Sequence, residues 1–115
     1  MSEAMDKFKA YSASMETVKL EVPEIELTVY AEAMTLKQRR ELLAKTANED
    51  AFTSAITTVI MLALDEQGER MFTIEDKPKL LRFKGISNAI ARLGGELMDA
   101  HSVADPLEPS KATET

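Results

Sequence analysis

Phe52-Thr53-Ser54-Ala55-Ile56-Thr57-Thr58-Val59-Ile60-Met61-Leu62-Ala63-Leu64 is the most apolar stretch of the chain, and whether it forms a helix or a strand decides the fold. Thr57, Thr58, Val59 and Ile60 are β-branched and individually favour strands. Against that, Phe52, Ala55, Ile56, Val59, Ile60 and Ala63 recur at helical spacing over about thirteen residues, longer than an ordinary strand. The spacing predicts a helix. Met61 and Leu62 widen its apolar face, which makes it the central element, with Ile60 turned inward.

Upstream, the period changes. Val18, Leu20 and Val22 alternate with Lys19 and Glu21, and after Pro23-Glu24 the alternation resumes with Ile25, Leu27 and Val29 against Glu26, Thr28 and Tyr30. Period-2 patterning of this kind reads as two half-buried strands, joined in a hairpin whose turn lies around Pro23. A lone hairpin is marginal in water, so helices must cover its apolar face. Thr35 with Gln38 forms a capping box that starts a helix, for which Leu36, Leu43 and Ala47 are expected as the core stripe and Asn48 as the stop. Ahead of the hairpin, Ala4, Met5, Phe8 and Tyr11 fit either a short amphipathic helix or a loose arm over residues 1–15.

Downstream, Asp65-Glu66-Gln67-Gly68 reads as the turn that ends the central helix, with Glu69 to Phe72 returning as a short extended piece. Asp76 as cap would place Pro78 in a first helical turn, where a missing amide costs nothing, ahead of Leu80, Leu81 and Phe83. A last helix carries Ile86, Ala89, Ile90, Leu93 and Leu97 on one face. Gly94 and Gly95 interrupt it, for which close helix packing is the favoured use. From Ser102 to Thr115 the composition turns to Pro, Ser, Thr, Glu and Asp, as in a disordered tail. The expected class is therefore α+β, mainly α: an N-terminal β-hairpin followed by about four helices in a single domain over residues 1–101, then a disordered tail over 102–115.

The 115 residues carry 14 Lys plus Arg against 20 Asp plus Glu, a net charge of −6, which gives no general attraction to nucleic acid or to anionic membrane surfaces. The chain has no Cys, so thiolate nucleophiles, thiolate metal sites and disulfides are all excluded. The opening MSEAMDKFKA lacks an apolar stretch of signal-peptide length, and a soluble, cytoplasmic protein is expected.

Candidate chemistry is sparse. His101 is the sole histidine and has no second imidazole for a metal, so a solvated helix-end cation is the stronger reading. Asp65, Gln67 and Asp76 fall into a calcium-loop frame only with its glycine misplaced and no terminal Glu, which favours a turn. Serines and threonines have no histidine to activate them, and the neighbouring acids Asp65-Glu66 and Glu75-Asp76 suit helix ends better than acid/base work. No catalytic residue, cofactor or metal site is assigned. Seven methionines suit either gap-filling in a core poor in aromatics or an adaptable binding surface. On the second reading Met61, Leu97 and Met98 are the expected partner-binding residues, on an exposed helix edge. A non-catalytic interaction module remains.

The serial order of these elements resembles the tail assembly chaperones of long-tailed bacteriophages. The resemblance runs from Val18-Lys19-Leu20-Glu21-Val22-Pro23-Glu24 through the strand to Tyr30 and the helix opened by Thr35-Leu36 with Arg39 and Arg40. It continues through Leu64-Asp65-Glu66-Gln67-Gly68-Glu69-Arg70-Met71-Phe72, Glu75-Asp76 and Leu80 to Leu97, most of the chain. Ile25 departs from the aromatic that many relatives carry there, and Pro78 interrupts a segment that is usually helical. The resemblance implies a chaperone in the host cytoplasm, absent from the mature virion, that binds and solubilises the tape measure protein. It also implies a minority longer form, made by ribosomal frameshifting, that contacts the tail tube protein. Exposed apolar surface for such a client implies self-association into oligomers. A small acidic cellular adaptor or an antitoxin-like module is the alternative of matching composition.

Overall fold

The central helix exists, and its burial explains how a β-branched sequence can hold it. The structure, a computed structural model, describes residues 2–100. Its elements run α1 (Glu3–Ala13), β1 (Val18–Val22), β2 (Leu27–Ala31), α2 (Leu36–Thr46), α3 (Ala51–Leu62), α4 (Lys77–Arg82) and α5 (Ser87–Asp99). The tail expected over 102–115, and His101, lie outside the described residues.

In α3, Ile56, Thr57, Thr58, Val59 and Ile60 are all buried, a run of five that turns through more than a full helical revolution. The helix is therefore enclosed on every side at its middle, with α5, α2 and α4 packed around it. Enclosure puts two hydroxyls in the interior, and both are satisfied. Thr58 Oγ1 donates to the Ser54 carbonyl at 2.8 Å, and Thr57 Oγ1 donates to Glu49 Oε1 at 2.9 Å. Glu49 also pairs with Lys77 at the start of α4, so one carboxylate ties together the α2–α3 connection, α3 and α4. Asp50 starts α3 by accepting from the Thr53 amide, and Arg70 ends it by donating Nη2 to the Ile60 carbonyl at 3.1 Å.

The hairpin lies over the pair α3 and α5, with Val22, Val29 and Ala31 meeting Val59, Ala63, Leu93 and Leu97 in one apolar cluster. Its register pairs Val18 with Ala31, Leu20 with Val29 and Val22 with Leu27. Ile25 is not in the second strand: Pro23–Ile25 forms one 3-10 turn and Ile25 is exposed. Glu26 then takes a left-handed conformation, φ 53°, to bring the chain back. The turn is anchored from outside. Arg92 of α5 grips the Glu24 carboxylate with two parallel bonds, Nη1 to Oε2 at 2.7 Å and Nη2 to Oε1 at 2.8 Å. On the far edge of β2, Tyr30 and Leu64 exchange backbone bonds of 2.8 and 3.0 Å, and Leu64 bridges onward to Arg70. The extended piece after Gly68 is thus drawn into the sheet at a single residue.

The Asp65–Gly68 turn is closed by its own groups: Asp65 Oδ1 accepts from the amides of Gln67 and Glu69, and Gly68 takes φ 83°. Asp76 is the cap of α4 and Pro78 lies in its first turn, so the helix survives the proline. Gly94 is the close-packing position: a Cβ built there would lie 3.1 Å from Cα and Cβ of Ala55, whereas one on Gly95 would meet nothing.

Two readings of helix faces need correction, in α2 and at the start of α3. In α2 the buried residue is Leu42, while Leu36, Leu43 and Ala47 are exposed. Helix α2 has apolar groups on two sides, and α3 takes the Leu42 side, about 120° of helix rotation from the stripe. Phe52 is half exposed because it lies in the first turn of α3, ahead of the enclosed middle. Leu81 and Phe83 are exposed, since α4 is only one and a half turns long and presents Leu80 to the interior.

Because Ile60 is fully enclosed, Ile60→Ala is expected to lower stability by about 2 to 5 kcal/mol in chemical denaturation. Gly94→Ala is expected to destabilise by about 1 to 3 kcal/mol through overpacking against Ala55, while Gly95→Ala gains up to about 1 kcal/mol of helix propensity. Melting curves of the two variants should therefore shift in opposite directions. Arg92 holds the Glu24 carboxyl down to about 2, from an ordinary value of 4.5. A carboxyl depressed in the folded state stabilises it above the ordinary value, and that stabilisation is lost as pH falls from about 4.5 toward 2. The stability difference between the unmodified chain and Arg92→Met should be full above pH ~5 and shrink across that window.

Candidate functional site

The groups best able to do chemistry are occupied in holding the fold. Asp65 closes its own turn, Asp76 Oδ2 accepts from the Thr73 amide at 2.9 Å, and Glu49 is shared between Thr57 and Lys77. The amide of Thr53 holds the Asp50 carboxyl below the usual carboxylate range, as expected of a helix cap. Among the described residues, no group of three or more His, Cys, Asp or Glu could hold a metal ion, and no helix is long and apolar enough to cross a membrane.

The unusual surface is apolar, and it begins with α1. Local sequence makes this helix: Ser2 caps it by accepting from the Met5 amide at 3.1 Å, Glu3 and Lys7 pair four residues apart at 3.5 Å, and Ser14 Oγ donates to the Tyr11 carbonyl at 2.6 Å. None of its residues is buried. Met5, Phe8 and Tyr11 are 56%, 72% and 54% exposed, and Ala4, Lys7, Phe8 and Tyr11 share one face. Eleven residues of helix in water, with a cap and one surface ion pair, are marginal without a packing partner. This amphipathic segment therefore carries a face that nothing among the described residues covers.

A second apolar stripe lies on α2. Leu36 is 78% exposed and Leu43 56%, on the same side as Arg40 and Ala47. These are the residues whose spacing suggested a core stripe; the spacing is real, and the stripe faces outward.

The partner-binding residues expected from sequence are distributed differently. Leu97, 3% exposed, is part of the core cluster with Val59 and Leu93, so it does not lie on an exposed edge and a charge there would be buried. Met61 and Met98 are half-buried, at the end of α3 and the last turn of α5. Sequence reasoning weighed Phe8 and Tyr11 only as parts of a helix or arm. Their spacing signals an amphipathic helix; that its apolar face stays uncovered is visible only in the structure.

No protein-family model and no curated protein matches the chain. Among solved structures it is similar to the bacteriophage HK97 tail assembly chaperone, with a TM-score of 0.49 and 9% sequence identity over 84% of this chain and 99% of that one. At that level the likeness assigns neither family nor function.

Proposed function

We propose that this protein is a phage tail assembly chaperone that binds apolar helical segments of the tape measure protein in the host cytoplasm and keeps them soluble. The observation that carries the reading is α1, a helix with three large apolar side chains outside and none inside. A protein that holds apolar helices without consuming energy must offer them uncovered apolar surface, and it must remain folded while doing so. Here the fold rests on α3 and α5, which leaves α1 and the Leu36–Leu43 stripe free of structural duty. The serial order of Val18 to Glu24, Leu64 to Phe72 and Glu75-Asp76 supports the same reading, since these segments form the joints of the fold: the anchored turn, the Leu64 bridge and the start of α4.

In this reading α1 and α2 make the first contacts with client, Met61 and Met98 add adaptable edges, and Leu97 supports them from beneath. A frameshifted longer form would carry a second module to the tail tube protein, and a tether between the two would raise the local concentration of one partner near the other.

Co-expression with a tape measure segment tests the proposal. The unmodified chain should keep the segment in the soluble fraction. Phe8→Asp combined with Tyr11→Asp should remove that protection while changing stability by less than about 0.5 kcal/mol, the scale of an exposed substitution. Protection that survives the double variant would place the client elsewhere, and an unmodified chain that neither binds nor solubilises the segment would end the chaperone reading.

A further inference from the structure

The hairpin has one closed edge and one open edge. Tyr30 turns its amide and carbonyl toward Leu64, away from β1. Lys19, directly opposite Tyr30, therefore belongs to a pair that exchanges no hydrogen bonds within the hairpin, and so does Glu21 two residues on. The amides and carbonyls of Lys19 and Glu21 point outward from β1. Among the described residues nothing bonds to them. Their side chains are also open to solvent, 59% and 63% exposed, and reach each other only loosely at 3.9 Å.

From this edge we propose that the protein forms a symmetric dimer in which the β1 strands of two copies pair antiparallel, joining two hairpins into one four-stranded sheet. The proposal is independent of the chaperone reading. Backbone bonding requires outward-facing residues to meet outward-facing residues, so the two-fold axis must pass through Lys19, Leu20 or Glu21. An axis through Lys19 opposes Lys19 to itself, and an axis through Glu21 opposes two glutamates; like charges directly across a sheet destabilise it. An axis through Leu20 sets Lys19 against Glu21 of the partner subunit, and Glu21 against Lys19 of the partner subunit. Both pairs are then complementary in charge and hydrogen-bonded through the backbone. The same register sets Leu20, half-buried in one copy, opposite its own counterpart and sets Val18 opposite Val22 of the partner subunit, all on the apolar face. Alternating Lys and Glu on an edge strand thus selects one self-pairing and rejects its neighbours.

A short edge makes a weak dimer, so the test is sedimentation equilibrium of the full chain up to millimolar concentration at low salt. The unmodified chain should associate to dimers, and Lys19→Glu or Glu21→Lys alone should weaken association about tenfold or more, because each puts like charges across both symmetric pairs. The double swap, K19E with E21K, restores complementarity in the same register and should return the affinity to within about threefold of the original. Amide hydrogen exchange on the unmodified chain gives a readout that needs no variant: the amides of Lys19 and Glu21 should slow as concentration rises through the association range. A chain that stays monomeric, a dimer indifferent to the three charge variants, or Lys19 and Glu21 amides that exchange freely in the dimer would each overturn the proposal.

Discussion

Enclosing α3 on all sides is the constraint from which the rest of the structure follows. Five consecutive buried residues cannot be covered by one neighbour, so α5, α2 and α4 must all reach the helix. Placing Thr57 and Thr58 in that interior demands partners for their hydroxyls, because an unpaired buried polar group costs about 1 to 3 kcal/mol. Thr58 finds the carbonyl of the preceding turn. Thr57 needs Glu49, and the resulting half-buried carboxylate needs Lys77. A single polar chain thus fixes where α4 starts relative to α3. On another side of α3, the Gly94–Ala55 approach brings α5 close enough for Leu93 and Leu97 to join Val59 beneath the hairpin.

What sequence made legible, and what it did not, follows from the range of the interactions. The two strands, the Thr35–Gln38 capping box, the helical nature of α3, the Asp65–Gly68 turn and the tolerance of Pro78 all rest on residues within four or five positions of one another. All are present. Partner choice was not legible. Leu36, Leu43 and Ala47 form a genuine stripe, and only the approach of α3 to Leu42 reveals that the stripe faces outward. Leu97 carries the same spacing whether α5 presents it to the hairpin or to solvent. The Glu49–Lys77 and Glu24–Arg92 pairs span 28 and 68 residues, and no local pattern announces either.

The division of labour among the helices gives the fold its functional character. Helices α3 and α5 hold the core, and the carboxylates that might have done chemistry serve as caps, turns and ties. Helix α1 is made by its own cap and ion pair, yet nothing among the described residues buries its apolar face. A segment of this kind is near the balance between helix and coil, so a partner that covers Phe8 and Tyr11 supplies the packing energy that the domain itself does not. On the proposed function, stability and client binding are thereby separated, because the buried Val59 and Ile60 stand apart from the exposed face that would meet the client.

That separation is the central claim, and amide hydrogen exchange along the chain tests it directly. In the free protein the amides of α1 should exchange at close to the rate of unfolded peptide, while those of Val59 and Ile60 exchange only through global unfolding. Adding a helical tape measure segment should protect α1 from its nearly unprotected free state, while α3 slows only by the global stabilisation that binding to the folded domain confers. Protection of α1 equal to that of α3 in the free protein, or no change in α1 when the segment binds, would contradict the account.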